Sequence, residues 1–268
     1  MARFQLMVVL VAVMVVSGSL SCSGRVGGVP EELRLSAASD VTVLLEWDEP
    51  EAGTPDNYIV YFRPVGTEGY VPIVELVGTR LDHDPSGMTG WYRVAALFGS
   101  DLYYAAETLS TVPVESPEER LAELNASGNS GFGWDRATGL GLSYSMRDAG
   151  SAAGVDLFVT DFYPGHEGQY ALASPTYGPS DPSGEVPQAS WRFTRFTADL
   201  PDERAPLPEY AEQTYLPFRD VEAGFAIGCH TEDGYFAFVK VTGVNELTGE
   251  LRLRSWFQLV PGLRLIRH

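Results

Sequence analysis

The 268-residue sequence predicts an all-β protein in which two antiparallel β-rich units are joined by a short linker helix. Runs of β-branched and aromatic residues recur along the chain, and each run ends at Gly, Pro, Asp or Asn, as strands do. Apolar and polar residues alternate within several runs, which is typical of strands with one buried face. The 28 glycines and 18 prolines supply the turns that many short strands require.

The first 21 residues are predicted to be a signal peptide. Residues 6–16 are apolar without interruption and follow Arg3, the first basic residue of the chain. As a helix this run would be about 17 Å long, well short of the roughly 30 Å hydrocarbon core of a bilayer. A run of that length is typical of the central region of a secretory signal. We therefore expect residues 1–21 to direct export.

The residues Ser19, Leu20, Ser21 and Cys22 resemble the lipobox of bacterial lipoproteins, although Leu20 stands two rather than three residues before the cysteine. The resemblance implies that Cys22 is the lipidation site and that residues 22–28 form a lipidated tether. Several acyl chains anchor a protein stably, whereas a single chain does not. The expected location is the outer membrane, since Ser23 follows the cysteine. Ordinary cleavage that leaves Cys22 free stays open as the alternative.

Charge restricts the partners of this chain. Its 36 acidic residues against 18 basic ones give a net charge of −18. Such a surface repels the phosphates of nucleic acids and anionic lipid headgroups, so neither is an expected partner. Cations, cationic ligands and neutral sugars remain open, and so does a role of the charge in solubility alone.

Residues 29–113 are predicted to form a β-sandwich. Within the stretch YIVYFRP, Tyr58 and Phe62 share one face of a strand, and Tyr61 and Arg63 share the other. Short strands of this kind, with turns about every ten residues, are typical of sandwiches.

Three stretches in this region resemble the fibronectin type III family: Trp47 before Asp-Glu-Pro, YIVYFRP, and WYRVAAL followed by Gly99 and Ser100. The resemblance covers about residues 29–113. It implies a seven-strand sandwich with Trp47 in its core, used as a spacer or an adhesive surface. Gly90 departs from the pattern, because it stands where many members of the family have a corner tyrosine.

Residues 114–128 are predicted to be a linker with a short helix. Ser116 is expected to cap that helix, with Pro117 at its first position and Glu119 completing a capping box. Leucines three residues apart would give the helix a narrow apolar stripe.

Residues 129–268 are predicted to form the second β-rich unit. The stretch FAIGCHTEDGYFAFVKV predicts a hairpin with Asp-Gly in its turn. In LRLRSWF, which follows, Leu251 and Leu253 share one face of a strand. The segment 172–188 contains four prolines and two glycines, which predicts a long loop or lid.

The stretches DLFV, TEDGYFAFVKVTGV and GELRLRSWFQ are similar to the C-terminal part of HmuY-like surface lipoproteins. This similarity implies an alternative function, the binding of haem through histidine or of another small ligand. The chain offers His83, His166, His230 and His268, and none of them stands in a motif that aligns with a haem ligand.

No metal site and no cofactor is predicted. His166 and the acidic neighbours of His83 lack the further ligands that zinc or calcium requires. Cys229 is expected to be a buried thiol, and His230 beside it should point to the opposite face of a strand. Several aromatic residues are expected to pack in the core, while a platform for sugar or haem stays open; they are Trp134, Tyr144, Tyr163, Tyr170 and Tyr177.

The sequence contains no motif for hydrolysis, phosphate binding or dinucleotide binding, so the chain is not expected to be an enzyme. The predicted function is that of a membrane-anchored, exported lipoprotein that binds or interacts through a module on a fibronectin type III spacer. Its expected partners are the lipid bilayer, through the acyl anchor, and a protein or carbohydrate at the cell surface. An accessory part of a polysaccharide-active enzyme is the alternative from another class of function.

Overall fold

The computed structural model describes residues 27–161, 170–176, 190–201, 207–245 and 247–268. The predicted signal peptide, Cys22 and most of the predicted loop 172–188 lie outside these residues. Among the described residues, no helix has both the length and the apolar character needed to cross a bilayer.

The first unit is a sandwich of two antiparallel sheets. Within residues 27–112 its strands are β1 (Glu31–Ala37), β2 (Val43–Asp48), β3 (Asn57–Pro64), β4 (Val71–Leu76), β5 (Arg80–His83), β6 (Gly90–Phe98), β7 (Asp101–Tyr104) and β8 (Leu109–Ser110). One sheet has the order β1-β2-β5, and the other has the order β4-β3-β6-β7, with β8 also paired to β6. Because β7 and β8 pair with the same edge of β6, they form one interrupted strand. The sandwich therefore has seven strands, as the family resemblance implies.

Trp47 lies in the core of this sandwich, as predicted. Its side chain is 1% exposed, and its ring meets Tyr58 edge to face with centroids 5.4 Å apart. Tyr58 and Phe62 are both buried, which confirms the predicted inner face of β3. At Gly90, a side chain would overlap the Arg63 carbonyl oxygen and come within 2.7 Å of the Phe62 ring. The missing corner tyrosine is thus explained by the close approach of β3 and β6.

The second unit is also built from antiparallel sheets. The described residues from 114 onward form β9 (Val114–Ala122), β10 (Gly131–Trp134), β11 (Gly141–Tyr144), a 3₁₀ helix (Ala149–Gly154), β12 (Leu157–Thr160), β13 (Ala171–Ala173), β14 (Thr194–Asp199), β15 (Phe218–Asp220), β16 (Ala226–Thr231), β17 (Phe236–Asn245) and β18 (Glu250–Phe257). The sheets have the orders β11-β10-β12-β13-β15 and β14-β16-β17-β18-β9. Phe132 and Leu157 of the first sheet share one buried cluster with Val239 and Leu253 of the second. This unit is therefore a second sandwich.

The predicted hairpin is confirmed by the pairing of β16 with β17. Gly234 lies in the turn between them with a φ of 84°, a conformation that glycine adopts without strain. In the next strand, β18, Leu251 and Leu253 are both buried, as the alternation predicted.

The predicted linker helix is wrong, because residues 114–122 form the edge strand β9 instead. β9 pairs with β18, which places Leu121 opposite Leu251 and buries it in the core. Pro117 lies where the register between the two strands shifts, and an edge irregularity of that kind tolerates a residue without an N–H group. The hydroxyl of Ser116, the expected helix cap, accepts a hydrogen bond from the Gly141 N–H at 2.7 Å.

The C-terminal segment 259–268 returns to the first sandwich. Three of its side chains are buried in the core of that unit, namely Val260, Leu263 and Leu265. Just before the segment, Gln258 Nε2 donates hydrogen bonds to the carbonyl oxygens of Thr111 at 2.9 Å and Leu265 at 2.7 Å. The last residues of the chain thus tie the two sandwiches together.

Candidate interaction surface

Cys229 lies on β16 without exposed surface, which confirms the prediction of a buried thiol. Burial raises the pKa of this thiol well above its usual value, so the reactive thiolate is disfavoured. The neighbouring His230 packs against Tyr210 instead, with ring centroids 4.1 Å apart and the ring planes tilted by 31°. Adjacency in sequence therefore does not produce a thiol–imidazole pair here.

The described histidines lie in separate places, and His166 falls outside the described residues. His83 Nδ1 is 2.8 Å from the Tyr92 hydroxyl, whereas His268 stacks on a tryptophan ring of β18. Burial lowers the pKa of both His83 and His230, which favours their neutral forms. In the described part of the chain, no group of three or more His, Cys, Asp or Glu side chains could hold a metal ion.

Trp134, one of the aromatic residues that could have formed a platform for sugar or haem, belongs to the core instead. Trp134 is 3% exposed, and its ring stacks on Phe257 with centroids 5.5 Å apart. Its indole N–H donates to the Ser255 hydroxyl at 3.1 Å. Tyr144 and Tyr170 are described and partly buried, whereas Tyr163 and Tyr177 lie outside the described residues.

A buried ion network joins several segments of the second sandwich. Asp156 has no exposed surface, and its oxygens accept hydrogen bonds from Arg136 Nη1 and Nη2, each at 2.8 Å, and from the Trp134 N–H at 2.9 Å. Arg192 Nε lies 3.1 Å from the same carboxylate. Asp233 meets both arginines, at 2.9 Å from Arg136 Nε and 2.6 Å from Arg192 Nη2.

The network holds Arg136 and Asp233 in their charged forms. Burial opposes the charge of Arg136, but hydrogen bonds to Asp156 and Asp233 outweigh burial and raise its pKa. Burial likewise opposes the charge of Asp233, and its hydrogen bonds with Arg136, Thr231 and Arg192 nevertheless hold its pKa well below the usual value. The arginine donors point at carboxylates of the protein itself, so we assign this network a structural role. The one sign of this ion network in the sequence is Asp156, an acidic residue within the otherwise apolar stretch VDLFV.

Two carboxyl groups approach each other beside β9. Glu123 is 5% exposed and accepts a hydrogen bond from the Asn125 N–H at 2.8 Å. Burial raises the pKa of Glu123, and the charge of Asp161 raises it further. Asp161 borders the undescribed residues 162–169, and we assign the two groups no catalytic role.

The outer face of the sheet β4-β3-β6-β7 carries two arginines that stack on aromatic rings. The register of β3 and β6 places Arg63 opposite Trp91 and Tyr61 opposite Arg93. The guanidinium carbon of Arg63 lies 4.2 Å from the centre of the Trp91 ring, and that of Arg93 lies 4.0 Å from the centre of the Tyr104 ring. These distances are typical of cation–π contacts.

Tyr61 and Tyr70 extend this arrangement. The Tyr70 ring lies 5.2 Å from the Arg63 guanidinium, and the rings of Tyr61 and Tyr104 are 5.8 Å apart. Burial, together with a hydrogen bond to Tyr104, raises the pKa of Tyr61 to about 12, so its hydroxyl stays neutral at physiological pH. We define the cation–aromatic face as six partly exposed side chains: Tyr61, Arg63, Tyr70, Trp91, Arg93 and Tyr104.

The two arginines of this face have no carboxylate partner among the described residues. On the opposite sheet of the same sandwich, by contrast, Arg34 lies 2.7 Å from Asp48 and Arg80 lies 3.6 Å from Asp82. Arg63 Nε is also buried without a hydrogen bond. In a chain with twice as many acidic as basic residues, the face therefore presents positive charge that no described carboxylate neutralises.

No protein-family model matches the chain, and no curated protein matches it. Similar solved structures include a fibronectin type III domain of human collagen XX, at 15% identity over 32% of this chain and 93% of that chain, with a TM-score of 0.27. A DUF4466 family protein from Parabacteroides merdae is 12% identical over 81% of this chain and 90% of that chain, with a TM-score of 0.37. The chicken interferon gamma receptor alpha chain is 12% identical over 75% of this chain and 89% of that chain, with a TM-score of 0.27.

Strand order and core packing define the class of this protein. It is an all-β protein of antiparallel sandwiches, and its first sandwich has the fibronectin type III arrangement.

Proposed function

We propose that this chain is an exported, lipid-anchored binding protein without catalytic activity. The cation–aromatic face supports the binding role, because Arg63 and Arg93 are partly exposed, held by ring stacking and left without a carboxylate among the described residues. The acyl chains on Cys22 would hold the protein in the outer membrane. The first sandwich would then both carry the face and space the second sandwich from the bilayer.

Contacts of the C-terminal segment support a fixed orientation of the cation–aromatic face relative to the rest of the molecule. Arg264 Nε lies 2.5 Å from Asp40 of the first sandwich, and Arg264 Nη1 donates to the Leu207 carbonyl of the second at 2.6 Å. Because one side chain bonds to both units, the face would be held at a defined orientation to the rest of the molecule.

The anchor is tested by changing Cys22 to alanine in a Gram-negative host. We expect the wild-type chain in the outer-membrane fraction and the C22A chain in the soluble periplasmic fraction, because acylation requires the cysteine thiol. Metabolic labelling with a radioactive fatty acid should mark only the wild type. The matched control is Cys229→Ala, which removes the other cysteine and should leave the chain in the membrane. Membrane retention of C22A after a carbonate wash would contradict the anchor.

The binding role is tested with the mature chain produced without its signal peptide and lipid. We expect it to sediment with isolated cell-envelope material, and we expect an R63Q/R93Q variant to stay in solution. Equal sedimentation of the two proteins would contradict the role of the face. The haem alternative makes a different prediction, a saturable Soret shift when haem is added, and the enzyme alternative predicts the release of sugars from added polysaccharides.

A further inference from the structure

We propose that the cation–aromatic face binds an acidic polysaccharide whose sugars carry carboxylates. This inference rests on the proposed binding function and names the class of its ligand. It follows from four features of the face: the ring stacking of its arginines without a described carboxylate partner, the spacing of those arginines, the pairing of the strands beneath them, and the polar tips of its rings.

The arginines are prepared to bind carboxylates. A guanidinium that lies over a ring covers one of its flat sides and not its N–H edges, and an edge can match a carboxylate with two parallel hydrogen bonds. Because the Nε of Arg63 is buried, the edge formed by its two Nη groups is the one that a ligand would meet. Arg63 lies over Trp91 and Arg93 over Tyr104, and neither is paired with a carboxylate among the described residues. Since ring stacking already orders both side chains, a ligand would meet donors that lose little conformational freedom.

The spacing of the arginines fits one extended chain with repeated charges. Arg63 pairs with Trp91 and Arg93 with Tyr61, so the two arginines are diagonal neighbours across β3 and β6. Diagonal neighbours in an antiparallel pair are roughly 7–8 Å apart. A ligand with a single carboxylate would neutralise one arginine, whereas a chain with a carboxylate on each sugar can reach both.

The strand pairing favours a saccharide over a peptide. β3 pairs with β4 and β6 on its two sides, and β6 pairs with β3 on one side and with β7 and β8 on the other. The two central strands, which carry four of the six side chains of the face, therefore offer no free backbone groups to a peptide that would add as a strand. β7, which carries Tyr104, is an edge strand of only four residues and offers a short template. At the nearby edge, β4 contains Pro72 and an irregular register, both of which disfavour strand addition.

The rings of the face supply the remaining contacts. Tyrosine and tryptophan combine a flat apolar surface with a polar tip, and a sugar likewise combines apolar C–H surfaces with hydroxyl groups. The Tyr61 hydroxyl, which bonds to Tyr104, is neutral at physiological pH and does not repel an anion. The chain as a whole carries a charge of −18 and therefore repels a polyanion except where the local surface charge is positive.

The test measures the binding of the mature chain to unesterified polygalacturonate by calorimetry, with EDTA present so that calcium does not bridge the polyanion to acidic surfaces. We expect saturable binding that weakens as salt rises. Methyl-esterified pectin and neutral dextran should bind at least about tenfold more weakly, because they lack the charge that forms bidentate bonds to arginine.

Variants assign the binding to the face. R63Q/R93Q should weaken binding at least about tenfold, and R63K/R93K should restore only part of it, because lysine keeps the charge but not the planar fork. The matched control is R34Q/R80Q, which removes two arginines from the opposite sheet and should bind like the wild type. Thermal melting of each variant separates a loss of binding from a loss of folding.

Four results would overturn the inference. Equal affinity for the esterified and unesterified polymers would show that carboxylates are not recognised. Tighter binding of a poly-glutamate peptide would assign the face to acidic peptides. Self-association of the wild type in analytical ultracentrifugation, abolished in R63Q/R93Q and unaffected by polygalacturonate, would assign it to a second copy of this acidic chain. If the chain sediments with envelope material but binds no polygalacturonate, the ligand class is wrong while the proposed function stands.

Discussion

Asp156 and Asp48 both meet arginines, yet burial gives their ion pairs different energetic weight. The Asp48 side chain is 51% exposed beside Arg34, so water competes for both charges and the pair contributes little to stability. Asp156 is fully buried between Arg136 and Arg192, which would otherwise share only the partly exposed Asp233 as a counter-charge. The cost of breaking the buried pair comes mainly from the charges that are left behind.

We predict that Asp156→Asn lowers the free energy of unfolding by about 3–5 kcal/mol, because two largely buried guanidinium groups lose the fully buried one of their two shared counter-charges. Asp48→Asn is the matched control and should cost much less, because its charge is solvated in the folded protein. Urea unfolding followed by tryptophan fluorescence measures both. A cost below about 1 kcal/mol for the Asp156 variant would mean that this network does not stabilise the second sandwich.

Glu123 makes stability depend on pH in the opposite sense to most carboxylates. Burial and the charge of Asp161 raise the pKa of Glu123 above its ordinary value of 4.5. Above pH 4.5 the folded protein therefore retains a proton that the unfolded chain releases. This contribution to stability is complete below pH 4.5 and is lost as the pH rises through the folded-state pKa.

We predict that Glu123→Gln becomes more favourable relative to the wild type as pH rises from about 4 to 8, because glutamine stays neutral and retains an oxygen that can accept from the Asn125 N–H. Urea midpoints of the two proteins across this pH range give the difference. Glu118→Gln, at an exposed position on β9, serves as the control and should show little of this trend. If the urea midpoints of the wild type and E123Q differ by the same amount at every pH, that result would contradict the shared burial of Glu123 and Asp161.

At the scale of elements, the approach of β3 to β6 depends on the absence of a side chain at Gly90. A Cβ atom there would overlap the Arg63 carbonyl oxygen and the Phe62 ring, and β3 could relieve the overlap only by moving away. Because β3 and β6 also carry Arg63 and Arg93, this contact helps to set the geometry of the cation–aromatic face.

We predict that Gly90→Ala destabilises the first sandwich by about 1–3 kcal/mol through overpacking. Gly69→Ala is the matched control, since nothing lies within 4 Å of a Cβ atom at that position. Thermal unfolding measures both effects. If the two alanine variants unfold at the same temperature, the close approach of β3 and β6 at Gly90 is not maintained in solution.

The sequence could predict elements whose signal is local. Trp47 and the hairpin of β16 and β17 were correct because alternation and an Asp-Gly turn act over a few residues. The helix predicted near Ser116 was wrong because the capping signals are weak compared with the pairing of β9 to β18, which lies far away in the chain. Alternation placed Tyr61 and Arg63 on one face, but it could not reveal the stacking on Trp91, which depends on strand register.

At the scale of the whole molecule, the C-terminal segment packs in both sandwiches and couples the unfolding of one to that of the other. Leu263 is fully buried in the core of the first unit, and Ile266 packs in a cluster of the second with Phe238 and Trp256. Thr89 of the first sandwich also donates to the Arg267 carbonyl. The core of the first unit is therefore completed by residues that follow the last strand of the second, so unfolding of one unit removes packing from the other.

We predict that the wild-type chain unfolds in a single calorimetric transition and that Leu263→Ala splits it, with the first sandwich melting earlier. The substitution should cost about 2–5 kcal/mol, because it leaves a cavity in that core and weakens its link to the second sandwich. Leu247→Ala is the matched control, since Leu247 is 97% exposed and its removal should change stability by less than about 0.5 kcal/mol. Differential scanning calorimetry distinguishes the outcomes. Identical single transitions for the two variants would show that the C-terminal segment does not couple the sandwiches.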